Sequence, residues 1–92
     1  MHAKATTLEN NERVRVTKWW FEVGEETGLH RHELDYLVVP LISGTLTIME
    51  PNGNETPNTI SEGSPYFRYS GAEHNVINRS DSEIAFLEIE IK

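Results

Sequence analysis

His30 and His32 stand two residues apart in Gly24-Glu25-Glu26-Thr27-Gly28-Leu29-His30-Arg31-His32, where a glycine-marked turn runs into β-rich sequence. On a strand, side chains alternate between faces, so residues i and i+2 share one face. The strand rise puts their Cα atoms roughly 6.5–7 Å apart. At that spacing both imidazoles can lean onto one metal ion, with nitrogen–metal distances of about 2.0–2.1 Å. A third histidine, His74, lies in a second patterned stretch downstream. That third imidazole strengthens the reading of the pair as a metal seat. The plain alternative for the pair is an exposed stretch of strand with no ligand role. His2 is terminal and is expected to take no part.

The rest of the chain must position these rings. Its 92 residues make one domain with one small core. There are no cysteines, which excludes thiolate ligands, a cysteine nucleophile and disulfide staples, and fits a cytoplasmic protein. The first residues carry no apolar signal-peptide core, and no run approaches the roughly 18 apolar residues of a membrane span. The net charge of −7 comes without a basic stripe. Nucleic acid is therefore not an expected partner, nor is an anionic membrane.

Residues 1–11 are polar and read as a loose arm, or as a strand added to a partner; residues 12–92 read as the domain. Over 12–23, Val14 and Val16 alternate with Arg13, Arg15 and Thr17, and the apolar phase shifts near Lys18-Trp19-Trp20. A bulge, burial of both faces, or a dimer contact would each produce that shift. Strands are expected over 29–32 and 35–42, the latter carrying Pro40, which suggests an edge or a bulge. Others follow at 45–49, 55–61, 66–70 and 74–78. Asn52-Gly53 marks a tight turn. The last strand, 84–91, places Ala85, Leu87, Ile89 and Ile91 on one face and Glu88 and Glu90 on the other. No window has helical periodicity. Many short strands with regular turns predict an all-β sandwich or barrel, and a jelly roll suits so short a chain.

The spacing of glycines and histidines resembles the cupins, small jelly-roll β-barrels. Their first motif runs G-x5-H-x-H-x(3,4)-E-x6-G, and Gly24, His30, His32 and Gly44 fall in register with it. Their second runs G-x5-P-x-G-x2-H-x3-N, matched by Gly63, Gly71, His74 and Asn78. Two positions depart from the pattern. Tyr69 replaces the proline of the second motif. The glutamate of the first falls, by the two allowed spacings, on Tyr36 or Leu37. The resemblance implies a three-histidine metal site of His30, His32 and His74, in place of the three-His-one-Glu set of many metal cupins. Imidazole ligands suit Fe, Zn, Ni, Mn or Cu. Three-His cupins that oxidise thiols or diketones with dioxygen are the nearest chemical resemblance. The phrase His-Arg-His-Glu-Leu-Asp-Tyr-Leu-Val-Val-Pro-Leu is also similar to small cupins of β-alanine or organic-acid breakdown. The resemblance further implies a homodimer.

Tyr36, Phe67 and Tyr69 are candidates to line the pocket mouth or pack on a substrate, against a plainer role as core or sheet-face aromatics. Arg31 lies between the ligands and so points to the opposite face. Arg68 fits either solvation of a face or a grip on substrate. Glu33, Asp35 and Glu73 are candidate bases by proximity alone. Asn78 is expected to secure a local turn or to contact the ligands from behind, not to bind the metal. The expected function is metal-assisted, dioxygenase-like or other, on a small organic acid. The alternative is a non-catalytic module that binds or senses a small ligand.

Overall fold

Alternating side chains bounded by glycine turns produce nine strands and no helix in the computed structural model, which describes residues 1–92. They are β1 (Lys4–Asn10), β2 (Val14–Phe21), β3 (His30–Arg31), β4 (Asp35–Ile42), β5 (Gly44–Met49), β6 (Glu55–Ile60), β7 (Tyr66–Arg68), β8 (Glu73–Ile77) and β9 (Ile84–Ile91). A five-stranded sheet has the order β1-β2-β9-β4-β7, and a four-stranded sheet the order β3-β8-β5-β6. All strand pairings are antiparallel. The architecture is an all-β jelly roll. Phe21, Leu46, Ile60, Val76, Ile84 and Phe86 form the centre of the core.

The N-terminal segment is no loose arm. Lys4–Asn10 pairs with β2 of its own chain, with one irregularity between Thr7 and Glu9. Pairing within the chain satisfies backbone donors and acceptors that a free arm would leave to water.

The two faces expected of β9 are present, and burial decides which of them points inward. Glu88 and Glu90 are buried, whereas Leu87 and Ile89 are half-buried and Ile91 is exposed. The inner row of β9 is Ile84, Phe86, Glu88 and Glu90. Register carries the same assignment to β2, where Arg15, Thr17, Trp19 and Phe21 stand opposite Glu90, Glu88, Phe86 and Ile84. Val14 and Val16 therefore face outward, opposite Ile91 and Ile89. The phase shift at Trp19-Trp20 is thus two apolar faces in succession, since the β2–β9 register runs unbroken. Arg15, partly exposed, meets the buried Glu90: its Nε and Nη2 donate to the two carboxylate oxygens at 2.6 and 2.9 Å.

Pro40 is buried in β4 at a register shift between Pro40 and Ile42, so the bulge reading holds. Gly44 owes its place to crowding. A Cβ there would fall 2.5 Å from Ile84 Cδ1, and Ile84 is fully buried, with nowhere to move.

Candidate metal centre

Strand pairing brings two of the three histidines together. His30 on β3 stands directly opposite His74 on β8, and paired residues point to the same face. His32 lies just past β3 and is fixed through its backbone: its N–H donates to Ala72 O at 2.8 Å, and its carbonyl accepts from Gly71 N at 2.8 Å. Gly71 has φ of 100°, a left-handed conformation that glycine reaches without Cβ strain. The glycine turn before His74 therefore also sets His32.

The three imidazoles converge. His30 Nε2 lies 3.0 Å from His32 Nε2, which in turn lies 3.1 Å from His74 Nε2. One ligand nitrogen from each ring falls within 4.8 Å of the others. Around an ion with bonds of about 2.1 Å, separations of 3.0 and 3.1 Å subtend roughly 90–95°. A tetrahedral ion would hold the nitrogens about 3.4 Å apart. Each of these two pairs is close enough to share one ion, which leaves positions open for other ligands.

Tautomer and charge favour the same use. His30 Nδ1 lies 2.9 Å from Gly28 O. A carbonyl only accepts, so the proton sits on Nδ1 and the Nε2 lone pair points to the cluster. Burial first, and then the neighbouring His30, push His32 and His74 down to about 4. Near neutral pH both rings are unprotonated, the form a metal takes. Neutral imidazole donors this close fit a divalent transition metal.

Glu88 is the functional-site residue that periodicity missed. Its Oε2 lies 4.0 Å from His32 Nδ1, too far for a hydrogen bond. Burial first, and then Glu90, push its carboxyl up to about 7. Its burial and that of His32 both favour neutral forms, so this pair is not an ionised salt bridge near neutral pH. The signal that could have found Glu88 is the bulk of Phe86, which shares its face and belongs inside.

Tyr36 faces the cluster and stacks on His32, with centroids 4.1 Å apart and planes at 25°. Burial pushes its hydroxyl up to about 12. Of the two positions allowed for the missing glutamate, Tyr36 faces the cavity; Leu37 points outward opposite Phe67 and Ile89. The expectation that Phe67 and Tyr69 line the pocket is corrected. They are 48% and 76% exposed and pack on each other. Alternation along β7 instead turns Tyr66 and Arg68 into the cavity, beside Trp19, Asn58 and Glu88.

Of the carboxylates near the histidines, Glu33 reaches toward Arg31 at 3.7 Å, and Asp35 accepts from Ser70 N at 2.8 Å. Neither lines the histidine cavity. Asn78 is fully buried and ties elements together: its Nδ2 donates to Phe21 O and Ser82 O, and its Oδ1 accepts from Ser80. His2 lies outside the cluster, bridged to Glu26.

No family model matches the chain. Over 90 residues it is 49% identical to the β-alanine degradation protein BauB of Pseudomonas aeruginosa, covering 98% of this chain and 94% of that protein. It is also 49% identical to a cupin domain from Bordetella pertussis, whose crystal structure superposes with a TM-score of 0.94 over 99% of this chain and 94% of that one. This chain is a cupin. The cupin fold alone is shared with a cupin 2 conserved barrel domain protein from Salinispora arenicola, at 16% identity and a TM-score of 0.72, over 98% of this chain and 76% of that one. As a cupin, the chain has His30, His32 and His74 at the family's motif spacing, and neither Tyr36 nor Leu37 supplies the carboxylate of the first motif.

Proposed function

We propose that this cupin holds a divalent transition metal through His30, His32 and His74 and binds a small organic acid at the positions left open, in the cytoplasm. The carrying observation is the convergence of three Nε2 atoms at spacings of 3.0 and 3.1 Å. The name of the Pseudomonas relative, a β-alanine degradation protein, supports a small amino or organic acid as ligand. When bound, the metal would supply Lewis acidity or activate dioxygen, as in dioxygenase-like chemistry.

The chain's own residues do the rest. Gly28 O holds the His30 proton on Nδ1. Tyr36 clamps the plane of His32. Trp19, Phe86 and Val76 wall the cavity with apolar surface and restrict water.

Metal analysis of untagged protein tests the reading. Near-stoichiometric first-row metal, lost in His74→Ala, is expected. Repeated preparations that stay metal-free and cannot be loaded would overturn it.

One observation favours a second reading, a binding module without turnover. Glu88 approaches His32 from the Nδ1 side, and the motif's glutamate is replaced by Tyr36 or Leu37, neither of which is a carboxylate. No carboxylate is assigned as a general base within hydrogen-bond reach of the open positions. Ligand bound tightly with no product over long incubation would select this reading.

A homodimer forms part of the proposal. The outward row Val16–Ile89–Leu37–Phe67, continuous across four strands, supports it, and sedimentation velocity tests it.

A further inference from the structure

Arg68 stands apart from the other arginines. Arg15 pairs with Glu90, Arg31 lies near Glu33, and Arg79 pairs with Glu55. Arg13 is exposed on a turn. Arg68 is half-buried, and its guanidinium has no ion pair. It stands opposite Tyr36 across β4 and β7, so both side chains face inward. Its Cζ lies 5.5 Å from the centre of the Tyr66 ring, and Asn58 Nδ2 donates to the Tyr66 hydroxyl at 3.1 Å. The guanidinium thus rests against a ring that is itself held in place.

Its position in the cavity system gives it a use. The histidine cavity has a volume of about 30 Å³, room for one or two water-sized groups. An outer recess of about 240 Å³ lies against it, and Ile48, Asn58, Arg68 and His74 line both. Arg68 is the one cationic side chain among the four residues that the recess and the histidine cavity share. The recess also carries Glu50 and Glu73, which repel a second negative charge on an incoming anion.

We propose that Arg68 is the carboxylate-recognition residue of this cupin and selects short monocarboxylates, whose short remainder reaches the histidine cavity. A guanidinium presents paired N–H donors that match both oxygens of a carboxylate. The narrow inner cavity limits what lies beyond the carboxylate, and the recess glutamates disfavour dicarboxylates. This inference rests on the organic-acid reading above but not on the metal.

Calorimetric titration of propionate and of succinate tests it, on the full chain first stripped by chelation and then loaded with zinc. Propionate is expected to bind more tightly than succinate. Arg68→Gln should weaken propionate about tenfold or more and leave zinc uptake unchanged. Arg79→Gln, whose guanidinium lies at the surface pair with Glu55, should bind propionate as the parent does. Propionate binding that is undetectable in the parent, or equal in Arg68→Gln, would overturn the inference. Arg68-dependent propionate binding in a protein that takes no zinc would sink the metal reading alone. Zinc uptake with propionate binding indifferent to Arg68 would sink this inference alone. A propionate-bound crystal structure is a second reading that needs no variant. Carboxylate oxygens are expected within hydrogen-bond distance of Arg68, and a carboxylate seated elsewhere would refute the assignment.

Discussion

Tyr36 lies flat against His32, ring centroids 4.1 Å apart and planes at 25°. The stack fixes the plane of the His32 imidazole without adding a negative group beside it. The Tyr36 hydroxyl has no protein hydrogen bond and is not a buried unsatisfied group.

That arrangement separates two substitutions. Tyr36→Phe keeps the stack and should cost under about 1 kcal/mol of stability. Tyr36→Ala empties a buried aromatic site and should cost about 3–5 kcal/mol, with weaker metal binding as His32 loses its clamp. Chemical denaturation and metal titration of both variants check this. Equal metal affinity in both would mean the stack does not orient His32.

Substitution with Co(II) reads the coordination geometry. Rings that keep the Nε2 separations of 3.0 and 3.1 Å around the ion should give the weak visible bands of six-coordination. Intense bands of a four-coordinate ion would show that the rings spread on binding.

Glu88 gives the chelated protein a pH signature. Its carboxyl is pushed from 4.5 to about 7 by burial and by Glu90. Below pH 4.5 it is protonated in folded and unfolded chains alike. Between about 4.5 and 7 the unfolded chain ionises first, so rising pH removes stability; above about 7 the whole loss is present. His32 and His74, pushed from 6.5 down to about 4, act oppositely. Their stability is present above 6.5 and is lost as pH falls toward 4. Glu88→Gln should therefore stabilise the chelated protein at pH 8 by on the order of 2–3 kcal/mol, and by almost nothing near pH 4.5. Urea unfolding at both values measures it. A gain that does not depend on pH would remove ionisation as the cause.

Asn78 should be a stability residue without a metal role. Asn78→Ala leaves Phe21 O and Ser82 O without their donor in a buried site and should cost about 2–4 kcal/mol. Metal stoichiometry of the folded variant, measured well below its melting temperature, should match the parent. A substoichiometric folded protein would place Asn78 in the site's support.

Much of the architecture was legible along the chain. Glycine and asparagine-glycine turns bounded the strands, because positive φ is a local demand that few residues meet. β4, β5 and β6 were readable to within a residue, and Pro40 announced its bulge. The histidine set was readable because His30, His32 and His74 fall at the spacing of the two family motifs, although His32 lies just past β3 and not on it. The inward face of β9 was not. Leu87, Ile89 and Ile91 look like a core stripe, and Glu88 and Glu90 like a wet one. Alternation fixes that two faces exist, but not which lies inside when the interior is a cavity holding polar groups. Phe67 and Tyr69 were misplaced for the same reason, since the inner face of β7 is set by its pairing with Tyr36 and Val38.

By itself the sequence determined an all-β chain with three imidazoles at family spacing, since turns, alternation and ligand spacing are short-range properties of the chain. Only the tertiary structure decided that the three Nε2 atoms meet, that Glu88, Arg68 and Tyr36 share their cavity, and that Leu37 and Ile89 face out. Those facts depend on strands far apart in sequence closing on one another. There burial outweighs local pattern, and the buried Glu90 carboxylate is met by the partly exposed Arg15 guanidinium.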